Sequence, residues 1–107
     1  MIPFETGTFD VAFAACVFHH IDAEQQAGLL RELRRVLRTG GALIVFEHNP
    51  LNPLTLHAVN TCPFDESATL VPAATMMRRI RSAGFARLER FLAWCPLGAQ
   101  YSVFATK

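Results

Sequence analysis

The stretch Phe9-Asp10-Val11-Ala12-Phe13-Ala14-Ala15-Cys16-Val17-Phe18-His19-His20-Ile21 decides the fold. From Val11 to Phe18 no residue carries a charge or a hydroxyl. A short run that is apolar at every position, rather than at every second one, predicts a strand covered on both faces, as in a parallel sheet between helices. The run ends in a polar corner at His19 and His20, and a helix pattern follows. In open α/β sheets ligands bind beyond the carboxyl ends of the strands. That corner is therefore the first place to look for a site.

Working outward, Asp22-Ala23-Glu24-Gln25 has the form of a capping box. Leu29, Leu30, Leu33, Val36 and Leu37 then recur at helical spacing, with Arg31, Glu32, Arg34, Arg35 and Arg38 mainly on the opposite side. Thr39-Gly40-Gly41 predicts the helix stop, because glycine takes the left-handed conformation that helix C-termini favour. A second apolar run, Ala42 to Phe46, predicts another strand, which ends in the polar group Glu47-His48-Asn49. Strand, helix and strand at this spacing form a βαβ unit with a right-handed crossover.

Further on, Asn52-Pro53 reads as a cap and first helical residue for a short helix over Leu54 to Val59. Cys62-Pro63 ends it, and Phe64 to Val71 reads as a loop. Pro72 opens another helix, with Met76, Met77 and Ile80 on its buried side. Gly84 closes that helix, with Phe85 folding back as its apolar partner. Arg87 to Trp94 and Tyr101 to Ala105 predict two strands joined by a turn at Pro96-Leu97-Gly98-Ala99. So short a turn joins only antiparallel neighbours. On the other side, Met1 to Thr8 reads as the tail of something earlier.

Totals narrow the class. The chain has 107 residues, 51% of them hydrophobic and 18% charged, which suits one domain with one core and excludes a disordered tail. A net charge of +1 gives no electrostatic reason to expect a nucleic acid or a membrane surface as partner. Cys16, Cys62 and Cys95 are odd in number and lack CxxC spacing, which argues against a disulfide framework or a zinc module and for a reducing, cytoplasmic setting. Cys62 and Cys95 read as small buried residues. His19, His20, His48 and Cys16 have no standard metal-ligand spacing, so no metal is expected.

Four motifs, in order and at matching intervals, give the whole chain a resemblance to the C-terminal half of a class I S-adenosylmethionine-dependent methyltransferase of the type 11 kind. They are Ile2-Pro3-Phe4-Glu5-Thr6-Gly7-Thr8-Phe9-Asp10; the corner Val17-Phe18-His19-His20-Ile21; Arg35-Val36-Leu37-Arg38-Thr39-Gly40-Gly41; and Ala83-Gly84-Phe85. Thr39 stands where the family usually has proline. The resemblance implies a single partial Rossmann-like α/β domain over residues 1–107. Its strands would be the family's fourth to seventh, in the order 4-5-7-6, with the last strand antiparallel and helices flanking. The family's glycine-rich loop and ribose-binding acidic residue belong to the first strands, which have no counterpart here.

The resemblance further implies a methyl transfer to an unidentified small-molecule acceptor in the complete fold. Ala15, Cys16, Phe18 and His20 would line the S-adenosylmethionine crevice. For this chain alone, weak or absent cofactor binding and doubtful activity are expected. His19, His48 and Glu47 are candidate catalytic residues, since a base is sometimes needed to take the acceptor's proton and imidazoles titrate near neutrality. Plainer alternatives stand beside these. His20 can pack or cap the strand-to-helix corner, Asn49-Pro50 and Asn52-Pro53 can be turn and cap residues, and His48 can simply line the loop. An unpaired apolar strand edge invites another chain. A homo-oligomer through residues 10–18 is therefore expected, and a non-catalytic α/β dimerisation module is the alternative function.

Overall fold

The structure, a computed structural model, describes residues 1–63, 68–92 and 100–107, and of residues 90–92 the backbone alone. The predicted turn over Pro96 to Ala99, Trp94, Cys95 and the loop from Phe64 to Ser67 lie outside the described residues. Four strands and three α-helices follow in the order β1 (Phe9–Ala15), α1 (Ala23–Val36), β2 (Leu37–His48), α2 (Pro53–Thr61), α3 (Ala73–Ser82), β3 (Ala86–Leu92) and β4 (Gln100–Thr106). A single 3-10 turn, Phe18–His20, links β1 to α1. The sheet order is β1-β2-β4-β3. β1 pairs parallel with β2, and β4 lies antiparallel between β2 and β3. This is the predicted α/β arrangement with one reversed strand.

The side-chain period of a strand decides which residues reach the core. In β2, Leu43, Val45 and Glu47 point to one face and are buried; Tyr101, Val103 and Ala105 do the same in β4. They meet Leu30 of α1 and Met76 and Ile80 of α3 in one cluster, which Phe18, Val71 and Phe85 close. Both long helices thus cover the same face of the sheet. The opposite face carries Val11, Phe13 and Phe46, which are 53%, 73% and 40% exposed.

Two expectations change here. β1 is covered on one face only: Phe9, Ala12 and Ala14 pack against the core, while Val11 and Phe13 are exposed. It also forms one edge of the sheet, as the expected unpaired strand would. The glycines do not end α1. The helix closes at Val36, and Leu37 is already extended, its N–H bonding back to Leu33 O. Leu37 pairs with Phe9, and the register then jumps to Val11 opposite Ala42. Gly40, at φ +80°, and Gly41 shape the excursion between those pairs. At Gly41 a Cβ would come within 2.8 Å of Arg38 O and 3.1 Å of Asp10 O, so only glycine lets the two strands close.

Local signals behave as capping chemistry requires at two helices and not at the third. Asn52 Oδ1 accepts from Leu54 N and Thr55 N at 2.9 and 3.0 Å and starts α2. Gly84, at φ +100°, turns the chain after α3 so that Phe85 folds back, its N–H reaching Ile80 O, and is buried. The capping box before α1 does not form: Asp22 sits at the cap without a side-chain bond. Cys62 is half-buried rather than buried. At the start of the chain, Glu32 and Arg35 of α1 clasp the backbone of Ile2, and Arg35 also reaches Phe4 O.

Candidate functional site

The polar corner is built at the carboxyl ends of β1 and β2, which lie side by side because the strands are parallel. Cys16 adopts φ +54°, a left-handed turn that a non-glycine residue seldom takes. Its N–H still bonds to Phe46 O at 2.8 Å, so the turn begins at the last rung of the ladder. The chain then drops Phe18 into the core and swings His19 beneath the end of β2.

There His19 meets Glu47. Both side chains are 1% exposed, and His19 Nδ1 lies 2.7 Å from Glu47 Oε2. The other carboxylate oxygen accepts from Phe18 N–H at 2.7 Å. A carboxylate only accepts, so the hydrogen sits on Nδ1 and Nε2 becomes the basic nitrogen of the ring. A buried carboxylate needs this full satisfaction, since an unpaired one would cost several kcal/mol.

Gln26 locks the corner from the helix side. Its amide donates to Phe18 O and Ile21 O, both at 2.8 Å, and its own oxygen accepts from Arg79. Thr69 N–H holds His19 O at 2.9 Å. Tyr101, paired with Glu47 across the sheet, donates its hydroxyl to Val71 O at 2.6 Å. Burial, then the nearby Glu47 charge, pushes the Tyr101 phenol well above its ordinary value, against the opposing effect of Arg79. Tyr101 therefore stays protonated and serves as a hydrogen-bond donor.

The seven predicted site residues fall into two groups. His19, Glu47 and His48 come together: the His19 and His48 rings are 5.1 Å apart, and the His19 and His20 rings 4.0 Å. The structure separates the two members of the histidine pair. His19 is the buried corner residue and His20 the exposed one. Ala15 is exposed and Cys16 half-buried at the end of β1, whereas Phe18 is wholly buried and faces the core. His19 and His20 line a cavity of about 270 Å³ with Gln26, Thr69 and Arg79. Gln26, Thr69 and Tyr101 escaped the sequence reading, because glutamine in a helix and tyrosine in a strand look like ordinary surface and core residues until the sheet places them. Among the described residues no group of three or more histidine, cysteine or acidic side chains could hold a metal ion.

The fold finds its counterparts among methyltransferases. A family model described as a methyltransferase domain matches residues 1–45. The polyketide synthase-nonribosomal peptide synthetase TwmB of Talaromyces wortmannii is 29% identical across 97% of this chain, which spans 4% of that protein. Among solved structures, an S-adenosylmethionine-dependent methyltransferase from Thermotoga maritima, described as a possible histamine N-methyltransferase, superposes with a TM-score of 0.83 at 22% identity. That match covers all of this chain and 60% of the other. The trans-methyltransferase CalH, in complex with S-adenosylhomocysteine, gives 0.76 at 26% identity over 97% of this chain and 31% of its own. The fold is therefore that of the class I methyltransferases, with the partial Rossmann-like sheet that belongs to it. The chain spans less than two thirds of the length of each of these relatives, from 4% of TwmB to 60% of the Thermotoga maritima protein.

Proposed function

We propose that this chain supplies the acceptor-activating half of an S-adenosylmethionine-dependent methyltransferase acting on a small molecule. One observation carries the reading: a buried His19–Glu47 pair, joined through His19 Nδ1, at the carboxyl ends of adjacent parallel strands, in a methyltransferase-like fold. S-adenosylmethionine would supply an electrophilic methyl group and leave as S-adenosylhomocysteine. Glu47 fixes the His19 ring and its tautomer. Nε2 then takes the proton that a hydroxyl, amine or acidic C–H acceptor must lose as its new bond to the methyl forms. His48, at the end of the same strand as Glu47, is a second base within the corner.

The residues present fit one wall of the cofactor crevice. Ala15 is small and exposed, Cys16 turns the backbone outward beside it, and His20 is open to solvent. Phe18 supports this wall from the core rather than lining it. Titration of the purified chain with S-adenosylhomocysteine tests the wall. Weak, saturable binding that moves the amides of residues 14–20 and 46–48 is expected; no movement in a folded chain counts against it. The base is tested by methyl transfer from labelled S-adenosylmethionine, in a form of the protein that shows transfer. There His19→Gln should suppress turnover, and unchanged transfer refutes the role.

A second reading, a dimerisation module, is favoured by the exposed apolar face of β1 and its neighbour. It predicts a homo-oligomer through residues 10–18. Light scattering should then show an assembly that Phe13→Lys dissolves, and a monodisperse monomer at high concentration overturns it.

A further inference from the structure

Positive charge is unevenly matched across this molecule. Arg35 is bonded to Glu32, and Arg38 to Asp10. By contrast, Arg31 of α1 and Arg78 and Arg79 of α3 have no carboxylate partner among the described residues. Arg31 lines the groove between the helices from α1, and Arg78 and Arg79 line it from α3. Ala27 lies in its wall, and Thr75 and Ser82 contribute hydroxyls. The open groove has a volume of about 370 Å³, and among the described residues no carboxylate lines it. Three like charges lining one concave space favour an anion between them.

We propose that the groove between α1 and α3 is a binding site for a phosphate-bearing small molecule. Guanidinium groups present planar forks of donors that match phosphate oxygens, and they cannot lose their charge. Arg78 donates to Thr75 Oγ1 at 3.3 Å, so that hydroxyl already accepts and has its own hydrogen to give. Every polar side chain in the lining can thus donate to an anion. The volume lies in the range of small-ligand pockets, and its concave shape favours a compact anion over an acidic protein surface, which would need a broader face.

The site also has a connection to the histidine corner. Arg79 lines both cavities, and its guanidinium holds Gln26, whose amide holds the carbonyls of Phe18 and Ile21 on either side of the histidines. An anion that draws Arg79 toward the groove loosens that hold. Occupancy of the groove should therefore be felt at His19 and His20.

The test is an amide-shift NMR titration of the 107-residue chain with pyrophosphate at low, matched ionic strength. Saturable shifts are expected along 27–31 and 75–83, extending to 18–21. The double variant Arg31→Gln/Arg78→Gln changes two exposed side chains, so the fold should survive, as circular dichroism can verify. It should weaken binding about tenfold or more, in keeping with the loss of two charge-assisted donors. Three results would each overturn the proposal: a non-saturating drift that chloride reproduces; binding unaffected by the double variant; or tighter binding of a polyglutamate peptide than of pyrophosphate, which would mark a protein-docking face instead.

Discussion

Removing the Glu47 carboxylate should be the most damaging single change at the polar corner, and the size of the loss follows from its two bonds. In Glu47→Ala the Phe18 N–H and the His19 Nδ1–H lose their partner together, inside a core where water does not replace it. Two buried donors left without an acceptor cost about 1–3 kcal/mol each. The vacated volume adds about 1 kcal/mol. Against a total stability of about 5–15 kcal/mol for a small domain, that leaves the variant close to unfolding. Glu47→Gln keeps the volume, and its amide oxygen can still accept from Phe18 N–H. Its NH₂ group would face Nδ1, so His19 must move its hydrogen to Nε2. The expected cost is then about 1–2 kcal/mol, a fall in melting temperature of roughly 5–15 °C for a domain of this size. Urea denaturation followed by circular dichroism measures both losses, and nitrogen NMR of the His19 ring reads the tautomer directly. The reasoning fails if the two variants are equally stable, or if the native ring carries its hydrogen on Nε2.

Other changes probe the frame around the site. Gly28→Ala, mid-helix with nothing within 4 Å of the new Cβ, should stabilise by about 1 kcal/mol, while Gly41→Ala, blocked by backbone oxygens, should destabilise by about 1–3 kcal/mol; equal effects in denaturation would refute the close approach at Gly41. Bonding to Arg35, then to the Ile2 N–H, holds the Glu32 carboxyl down at about 2 from an ordinary 4.5. Its contribution is therefore present above pH 4.5 and lost as pH falls toward 2, and Glu32→Gln should flatten acid denaturation in that window. Tyr101→Phe should cost about 1–3 kcal/mol by leaving Val71 O unpaired in the core. Because the folded phenol keeps its proton where the unfolded one releases it, native stability should fall as pH rises past 10, and the phenylalanine variant should lose that alkaline slope.

Much of the frame was legible in the chain because it depends on local signals. Two continuous apolar runs, each ending in polar residues, specify parallel strands whose carboxyl ends share a corner. Asn52-Pro53 and Gly84-Phe85 mark helix boundaries through backbone chemistry that needs no tertiary partner. The pairing of β4 between β2 and β3 followed from the predicted short turn and from the family resemblance. The end of α1 was misread because Leu37 belongs equally well to a helical stripe and to a strand; its pairing with Phe9 decides the matter, and that partner is distant in sequence.

The histidine pair shows what only the tertiary structure decides. His19 and His20 are adjacent and chemically identical, so nothing local separates the buried one from the exposed one. The left-handed turn at Cys16 and the parallel register that brings Glu47 beside Phe18 send His19 inward. Likewise, composition cannot reveal that α1 and α3 share one face of the sheet, which leaves Phe13 open on the other and puts Arg31 and Arg78 in one groove. Sequence by itself determined the elements, their order and the corner where chemistry gathers, because these rest on periodicity and capping. Which side chains meet there depended on strand register and helix placement, contacts between residues far apart in the chain.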